Sequence, residues 1–370
     1  DAAAATRLSD AEQGGGHPPP LSADPDRPVA LVFTSGTTGT PRAATFCGRQ
    51  LEFIRQVDTG GVWGGGGPGL AGTSLAHLGP MTKLAGILTR GGTTYLTRRW
   101  RASDALATTA AHRMATVAGI PTQVALMLRD PHFDLYDLSS VRAVVMGGEP
   151  ASATLVREAR VRFGAAVSTR YSCTEAGVGL GTALTDPPED AEVSVGRPHA
   201  GVDLALRDPA DSSRPVEPGA IGEVCLRSPA QMSGYWCEPR LTAEHSTPDG
   251  FIRTGDLGRL DDAGRLVLAG RRSEMYIRGG YNVHPVEVES HLARLSGIAD
   301  AAVVGVTDPV MGEVGVAFVV LAPGARIPDL EVLRDELAGH LAHHQMPERL
   351  VVLNSLPLTA GDKVDRTALR

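Results

Sequence analysis

The chain has 370 residues, 42% hydrophobic and 21% charged, with 44 Gly, 26 Pro and a formal net charge of −7. At roughly 100–200 residues per domain, this length predicts two or three domains with room for buried cores, and the acidic balance excludes a generally basic nucleic-acid binder. The four cysteines, Cys47, Cys173, Cys225 and Cys237, form no C-x-x-C pair and no zinc spacing, which favours a reducing, cytoplasmic setting over a disulfide-built secreted scaffold. No run of about 18 apolar residues marks a membrane span, and no basic segment followed by an apolar stretch suggests a signal peptide.

Residues 1–27 are rich in Ala, Gly, Pro and Asp without apolar periodicity and read as a disordered lead-in or linker. The apolar run 28–33 predicts a buried strand, ended by a Thr/Ser/Gly loop, and the Gly-rich stretch 60–72 predicts a mobile loop. Helical patterns over 103–114, 122–128 and 151–162 alternate with strand patterns over 115–120, 141–146 and 165–169. That alternation predicts an α/β sheet with helical crossovers. Between 202 and 268 the pattern changes to short strands at 202–207, 222–227 and 265–268, separated by Pro/Gly/Asp turns, which predicts a small β-rich subdomain at about 200–272. A third region follows, with helices expected at 285–294 and 329–344 and strands at 301–306, 315–321 and 349–353. His340, His343 and His344 would share one face of that last helix. Without an H-E-x-x-H motif or a carboxylate partner they read as a solvated face and not as a metal site.

Four segments carry chemistry-bearing residues. Thr34-Ser35-Gly36-Thr37-Thr38-Gly39-Thr40-Pro41-Arg42 follows a strand; glycines admit close backbone approach to an anion, hydroxyls donate to phosphate oxygens and the arginine neutralises charge. No Gly-Lys-Ser/Thr follows, so it is not a Walker A loop, and such a loop alone is more often an ordinary turn. Tyr171-Ser172-Cys173-Thr174-Glu175 offers a ring to stack on a base, a hydroxyl for a phosphate and a carboxylate for Mg²⁺, although five isolated residues of this kind are more often a plain loop. Thr254-Gly255-Asp256 and Gly270-Arg271 bracket a hairpin, and one carboxylate can accept both hydroxyls of a ribose; surface turns of this composition are also common. Lys363 sits in a polar loop after the last strand and is one of only two lysines in the chain, the other being Lys83.

In this order the segments resemble the superfamily of adenylate-forming enzymes: acyl- and aryl-CoA ligases, adenylation domains and luciferases. Gly222-Glu223 with Gly234-Tyr235, and the stretch from Gly270-Arg271 to Glu289, resemble further motifs of that superfamily, so the likeness extends over nearly the whole chain. The resemblance implies a large N-terminal domain over 28–272, an α/β sheet plus the β-rich subdomain, and a smaller, mobile α+β C-terminal lid over 273–370 that hinges at Ser273. Superfamily members usually carry well over a hundred residues before the phosphate loop and this chain has 33, so the first domain is expected to be incomplete.

The resemblance also implies roles and partners. Thr34, Ser35, Gly36, Thr37, Thr38, Gly39 and Arg42 would hold the β- and γ-phosphates of ATP. Thr174 would contact the α-phosphate, Glu175 would hold Mg²⁺, and Tyr171, with Ser172 beside it, would stack on adenine near Gly148, Glu149 and Pro150. Asp256 would take the ribose hydroxyls with help from Arg271, and Lys363 would bridge the carboxylate and the α-phosphate as charge develops. His77 and Gly177, with Gly179 and Gly181, would line the acyl pocket, and Arg278, Gly279 and Gly280 would face the pantetheine arm of CoA. The implied activity is ATP-dependent conversion of a small carboxylic acid to an acyl-adenylate with release of pyrophosphate, then transfer to a thiol, CoA before a carrier-protein phosphopantetheine. A shortened, non-catalytic nucleotide-binding protein is the alternative. Three positions depart from the superfamily pattern: Arg42 replaces a lysine, Ser172 a glycine, and Asp362 the glycine before the catalytic lysine.

Overall fold

The computed structural model describes residues 24–34, 42–322, 324–326, 329–359 and 364–370. The alternating segments in the first half form a five-stranded sheet in chain order: Thr116–Gly119, Ala143–Gly147 and Ala166–Tyr171 run parallel, and Leu180–Gly181 and Arg197–Pro198 add antiparallel. Parallel neighbours need crossovers, supplied here by the helices Pro121–Leu128 and Ala153–Phe163. The second of these starts where Ser152 Oγ accepts from Leu155 N at 3.2 Å and ends at Gly164 in the left-handed region. Leu106, Val124, Val144, Met146, Val156 and Phe163 fill the space between these layers.

Two antiparallel sheets stand beside this layer. Pro28–Thr34 and Arg42–Cys47 form a hairpin joined by Gly234–Tyr235, with Thr34 opposite Arg42. Asp203–Arg207, Gly222–Arg227, Ile252–Leu260 and Leu266–Arg271 form the other, in that order. Both share one core with the end of the parallel sheet, in which Phe46, Leu226, Tyr235, Ile252 and Leu266 pack with Tyr171 and Leu180. From Tyr276 onward the strands Tyr276–Arg278, Tyr281–Val283, Ile298–Asp308, Gly312–Leu321 and Arg349–Leu353 make a separate sheet. Its core draws on Tyr276, Val288, Leu292, Val303, Leu333 and Leu337. The chain is therefore a mixed α/β protein with a large N-terminal domain and a smaller C-terminal one.

Three local expectations are corrected. The stretch at 60–72 includes a strand, Pro68–Leu70, parallel to Thr93–Tyr95. Thr254-Gly255-Asp256 and Gly270-Arg271 do not bracket the hairpin but lie within its strands Ile252–Leu260 and Leu266–Arg271. The helix expected at 329–344 spans only Leu330–Leu337; the chain turns at Ala338 and Gly339, where glycine weakens helix continuation, and this turn buries Leu341. The three histidines consequently share no helical face. His340 stacks on His291, His344 stacks on Tyr281, and no group of three or more metal-ligating side chains occurs among the described residues. Residues 1–23 of the expected lead-in lie outside the described residues, and the helices Gly48–Thr59 and Leu78–Arg90 had no sequence expectation.

Two features of the C-terminal core give measurable consequences. Tyr276 is fully buried and its hydroxyl has no hydrogen-bond partner among the described residues; the ring lies against Gly305 and Gly315, where any Cβ would collide with it. Removing a buried, unpaired hydroxyl relieves a desolvation cost, so Tyr276→Phe should leave stability unchanged or raise it by about 1 kcal/mol in a urea titration; a loss would show that the hydroxyl is paired in solution. His284 and His291 each bury an Nδ1 with no partner among the described residues, and burial holds both below the ordinary histidine range. Their folded forms favour the neutral ring, so this stabilisation is complete above the unfolded value of about 6.5 and is lost as pH falls below it. His291→Gln should flatten the decline of the thermal midpoint between pH 7.5 and 5.5; an unchanged slope would remove His291 as a cause.

Candidate active site

The site begins with pairing between neighbouring strands. Asp256 stands opposite Arg271 in the register of Ile252–Leu260 and Leu266–Arg271, and Arg271 Nε lies 3.2 Å from Asp256 Oδ1. Tyr171, at the C-terminal end of its strand, places its hydroxyl 2.8 Å from Asp256 Oδ2 and 3.0 Å from Thr254 Oγ1. Thr254 Oγ1 donates to the Val224 carbonyl at 2.8 Å and accepts from Asp256 N at 3.1 Å. Burial pushes the Asp256 carboxyl above the usual carboxylate range, and the Arg271 guanidinium and the Tyr171 hydroxyl oppose that shift. Burial, reinforced by the Asp256 charge, holds the Tyr171 phenol well above its ordinary value. A carboxylate offers about four lone-pair sites, so these two contacts leave acceptor capacity on Asp256 for further hydroxyls.

A second cluster joins the loop after Tyr171 to the hairpin. Glu175 Oε1 accepts from the Tyr235 hydroxyl at 2.7 Å, and the Glu175 carbonyl accepts from Met232 N at 2.8 Å. Tyr235 pairs with Ala44, two residues beyond Arg42. Burial and the neighbouring Glu175 push the Tyr235 phenol upward, against a hydrogen bond from Arg42. Arg42 Nη1 donates to His245 Nε2 at 3.1 Å. The structure therefore brings Arg42 and Glu175 to one Tyr235 hydroxyl, and Tyr171 together with Asp256 and Arg271. Ser172 Oγ bonds the Gly177 carbonyl, which closes the loop on itself, and Thr174 lies in the same loop, half-buried.

The remaining expected residues distribute unevenly. Gly148 turns the chain after Ala143–Gly147 with φ 87°, and Glu149 accepts from Thr122 Oγ1 at 3.1 Å just before Pro150. His77 is exposed at the N-terminal end of Leu78–Arg90. Gly177, Gly179 and Gly181 were expected to leave pocket space, but their Cβ positions are filled by the Ala230 backbone, the Tyr171 carbonyl and the Arg170 side chain; their small size serves close packing. Arg278 is buried, ion-paired with Glu348 and donating to the His343 carbonyl at 2.8 Å, so it does not face outward. Gly279 and Gly280, both at positive φ, turn the hairpin between Tyr276–Arg278 and Tyr281–Val283. Ser273 lies in the turn between the two domains' sheets. Ser35, Gly36, Thr37, Thr38, Gly39, Asp362 and Lys363 lie outside the described residues. Tyr235 carries no role expected from the sequence, although the Gly234-Tyr235 pair was its signal, and His245, unexpected as well, carries no local signal.

A large α/β domain with these two polar clusters, followed by a small α+β domain, is the arrangement of adenylate-forming enzymes. Residues 1–236 match the model of the AMP-binding enzyme family and residues 287–363 that of the AMP-binding enzyme C-terminal domain. The chain belongs to the AMP-binding enzyme family. It is 33% identical over 361 residues to the fatty acid–acyl-carrier-protein ligase ScoC of Streptomyces coeruleorubidus, covering 95% of this chain and 69% of the relative. It is also 33% identical over 358 residues to the sulfoacetate–CoA ligase of Cupriavidus necator, covering 95% and 68%. The ATP-bound crystal structure of MatB from Rhodopseudomonas palustris superposes with a TM-score of 0.86 at 28% identity, over 98% of this chain and 72% of that one. The chain spans about two thirds of the length of the curated relatives it matches, 64% at the low end. The two curated relatives are named as ligases joining an acid to an acyl-carrier protein and to CoA, the enzyme class the sequence motifs imply. No helix among the described residues is long and apolar enough to cross a membrane.

Proposed function

We propose that the full-length protein uses ATP to convert a carboxylic acid to its acyl-adenylate, releasing pyrophosphate, and then passes the acyl group to the thiol of CoA. The observation that carries this reading is the half-buried Asp256, mid-strand in Ile252–Leu260, held by Arg271 at 3.2 Å and by Tyr171 at 2.8 Å. That geometry suits a ribose whose two hydroxyls donate to one carboxylate. Tyr171 orients Asp256 and stacks its ring on the base, Thr174 meets the α-phosphate, and Thr34 to Arg42 line the β- and γ-phosphates. Bringing two anions together requires positioning and charge neutralisation more than covalent help, and Arg42 and Lys363 supply the cations.

The donor set fits Mg²⁺. Glu175 has one oxygen engaged by Tyr235, and no protein cage of three or more ligands exists among the described residues; Mg²⁺ characteristically takes one or two carboxylates and completes its shell with phosphate oxygens and water. When bound there it would neutralise phosphate charge.

In this reading Ser273 is the hinge, residues 273–370 form the lid, 28–272 the core, and 1–27 a lead-in. Gly279 and Gly280 approach the pantetheine arm, and His77 borders the acyl pocket. A cytoplasmic setting, where ATP and CoA are available, goes with it. The likeness to an acyl-carrier-protein ligase supports a carrier-protein thiol as the second acceptor to test. The test is carboxylate-dependent ATP–pyrophosphate exchange by the full-length protein across a panel of acids, followed by thioester formation with CoA or a phosphopantetheinylated carrier. Exchange with no acid in a broad panel would favour a non-catalytic nucleotide binder.

A further inference from the structure

We propose that His245 is a positioning residue for Arg42, fixing the guanidinium where it meets the terminal phosphates of ATP; the inference rests on the adenylation reading above. The hydrogen bonds determine the ring's state. His245 Nδ1 lies 3.0 Å from the Leu241 carbonyl, which can only accept, so Nδ1 carries the proton. Arg42 can only donate, so the lone pair of Nε2 receives its Nη1–H at 3.1 Å. One ring thereby links a backbone carbonyl of the helix Pro239–Glu244 to the cation that follows the phosphate loop.

Arginine has five N–H donors in a planar fork. Anchoring Nη1 to His245 fixes the plane of that fork, and beside the hydrogen bond given to Tyr235 donors remain for phosphate oxygens. The Tyr235 ring meets the His245 ring edge-on at 5.4 Å, and its hydroxyl passes to Glu175 at 2.7 Å. His245, Arg42, Tyr235 and Glu175 thus form one chain from the hairpin to the carboxylate assigned to Mg²⁺.

The imidazole is not needed to close the helix. Backbone bonds from His245 N to Leu241 O and Thr242 O do that, and the His245 carbonyl accepts from Arg253 N at 2.9 Å. Substituting the ring therefore removes the anchor while leaving the local backbone its bonds.

The experiment uses the full-length protein, reading the ATP KM in pyrophosphate exchange, the dissociation constant of a non-hydrolysable ATP analogue, and the thermal midpoint. His245→Leu should raise the KM and dissociation constant roughly tenfold, with kcat changed less. His245→Gln keeps a side-chain acceptor and should recover affinity to within about threefold of the parent. In an Arg42→Ala background, His245→Leu should add nothing. An equal loss in that background, or Gln behaving as Leu does, overturns the proposal while the parent's exchange activity keeps the adenylation reading standing. A parent that neither exchanges pyrophosphate nor binds the analogue overturns both.

Discussion

Asp256→Ala should weaken ATP binding by ~1.5–3 kcal/mol, the loss of charge-assisted hydrogen bonds to the ribose. The side chain is 14% exposed, so little solvent screening dilutes the contact. The substitution also strips Tyr171 of the acceptor at 2.8 Å and Arg271 of its partner. Tyr171 keeps Thr254 Oγ1 at 3.0 Å, so the fold should survive and the loss should appear mainly in affinity. Asp256→Asn separates charge from shape. It retains one acceptor oxygen but no charge to hold Arg271, and should fall between the parent and the alanine variant. Titration calorimetry with ATP, read beside a urea unfolding curve, makes the measurement. Parent-like ATP affinity in a folded Asp256→Ala protein would remove the ribose assignment.

Much of the architecture was legible because local patterns coincide with tertiary needs. The strand Gly222–Arg227 matches its expected bounds, since an apolar run bounded by Pro/Gly turns has few other ways to bury its side chains. The expectation failed for 329–344, where leucines at positions 330, 333, 337 and 341 keep helical spacing past the true end. A turn at Gly339 buries Leu341 just as well, and hydrophobic spacing cannot distinguish the two. Gly177 illustrates a different limit. Its small size was visible in the sequence, but the Ala230 backbone that fills the space beside it is 53 positions away. The site divides in the same way. Asp256 and Tyr171 stood out through motif order, whereas the Arg42–His245 contact joins residues 203 positions apart and the Glu175–Tyr235 contact residues 60 apart. Only the fold creates those pairs. A histidine following a short helix has nothing in its own neighbourhood to mark it.

Lys363→Ala should lower adenylate formation by ~10²–10³-fold, the effect of removing one electrostatic stabiliser of the transition state. Lys363 itself lies outside the described residues, and the expectation rests on its terminal motif and on the scarcity of lysine in the chain. The residues that flank it are firmly tied. Leu358 bridges Val364, Asp365 N donates to the Pro357 carbonyl at 2.8 Å, and Asp365 caps the helix Arg366–Leu369. Arg366 then donates to Glu289 Oε2 at 2.9 Å and to the Val303 carbonyl at 2.9 Å, and its Nε lies 3.2 Å from Glu274, next to Ser273. The base of the lysine loop is thus fastened to the segment that joins the two domains, so a lid rotating about Ser273 would carry the lysine with it. A cation that engages chiefly the transition state should affect turnover far more than ATP affinity. Thioester formation from a preformed adenylate should be nearly unchanged, because the lysine would have left the reacting centre. Arg366→Ala supplies the contrast: by loosening the anchor it should depress both half-reactions. Asp362→Gly should raise adenylation if the carboxylate competes for the neighbouring ammonium. The two half-reactions, assayed separately on the full-length protein, decide the matter. Equal losses in both for Lys363→Ala would make the lysine structural, and no loss in either would take it out of the active site.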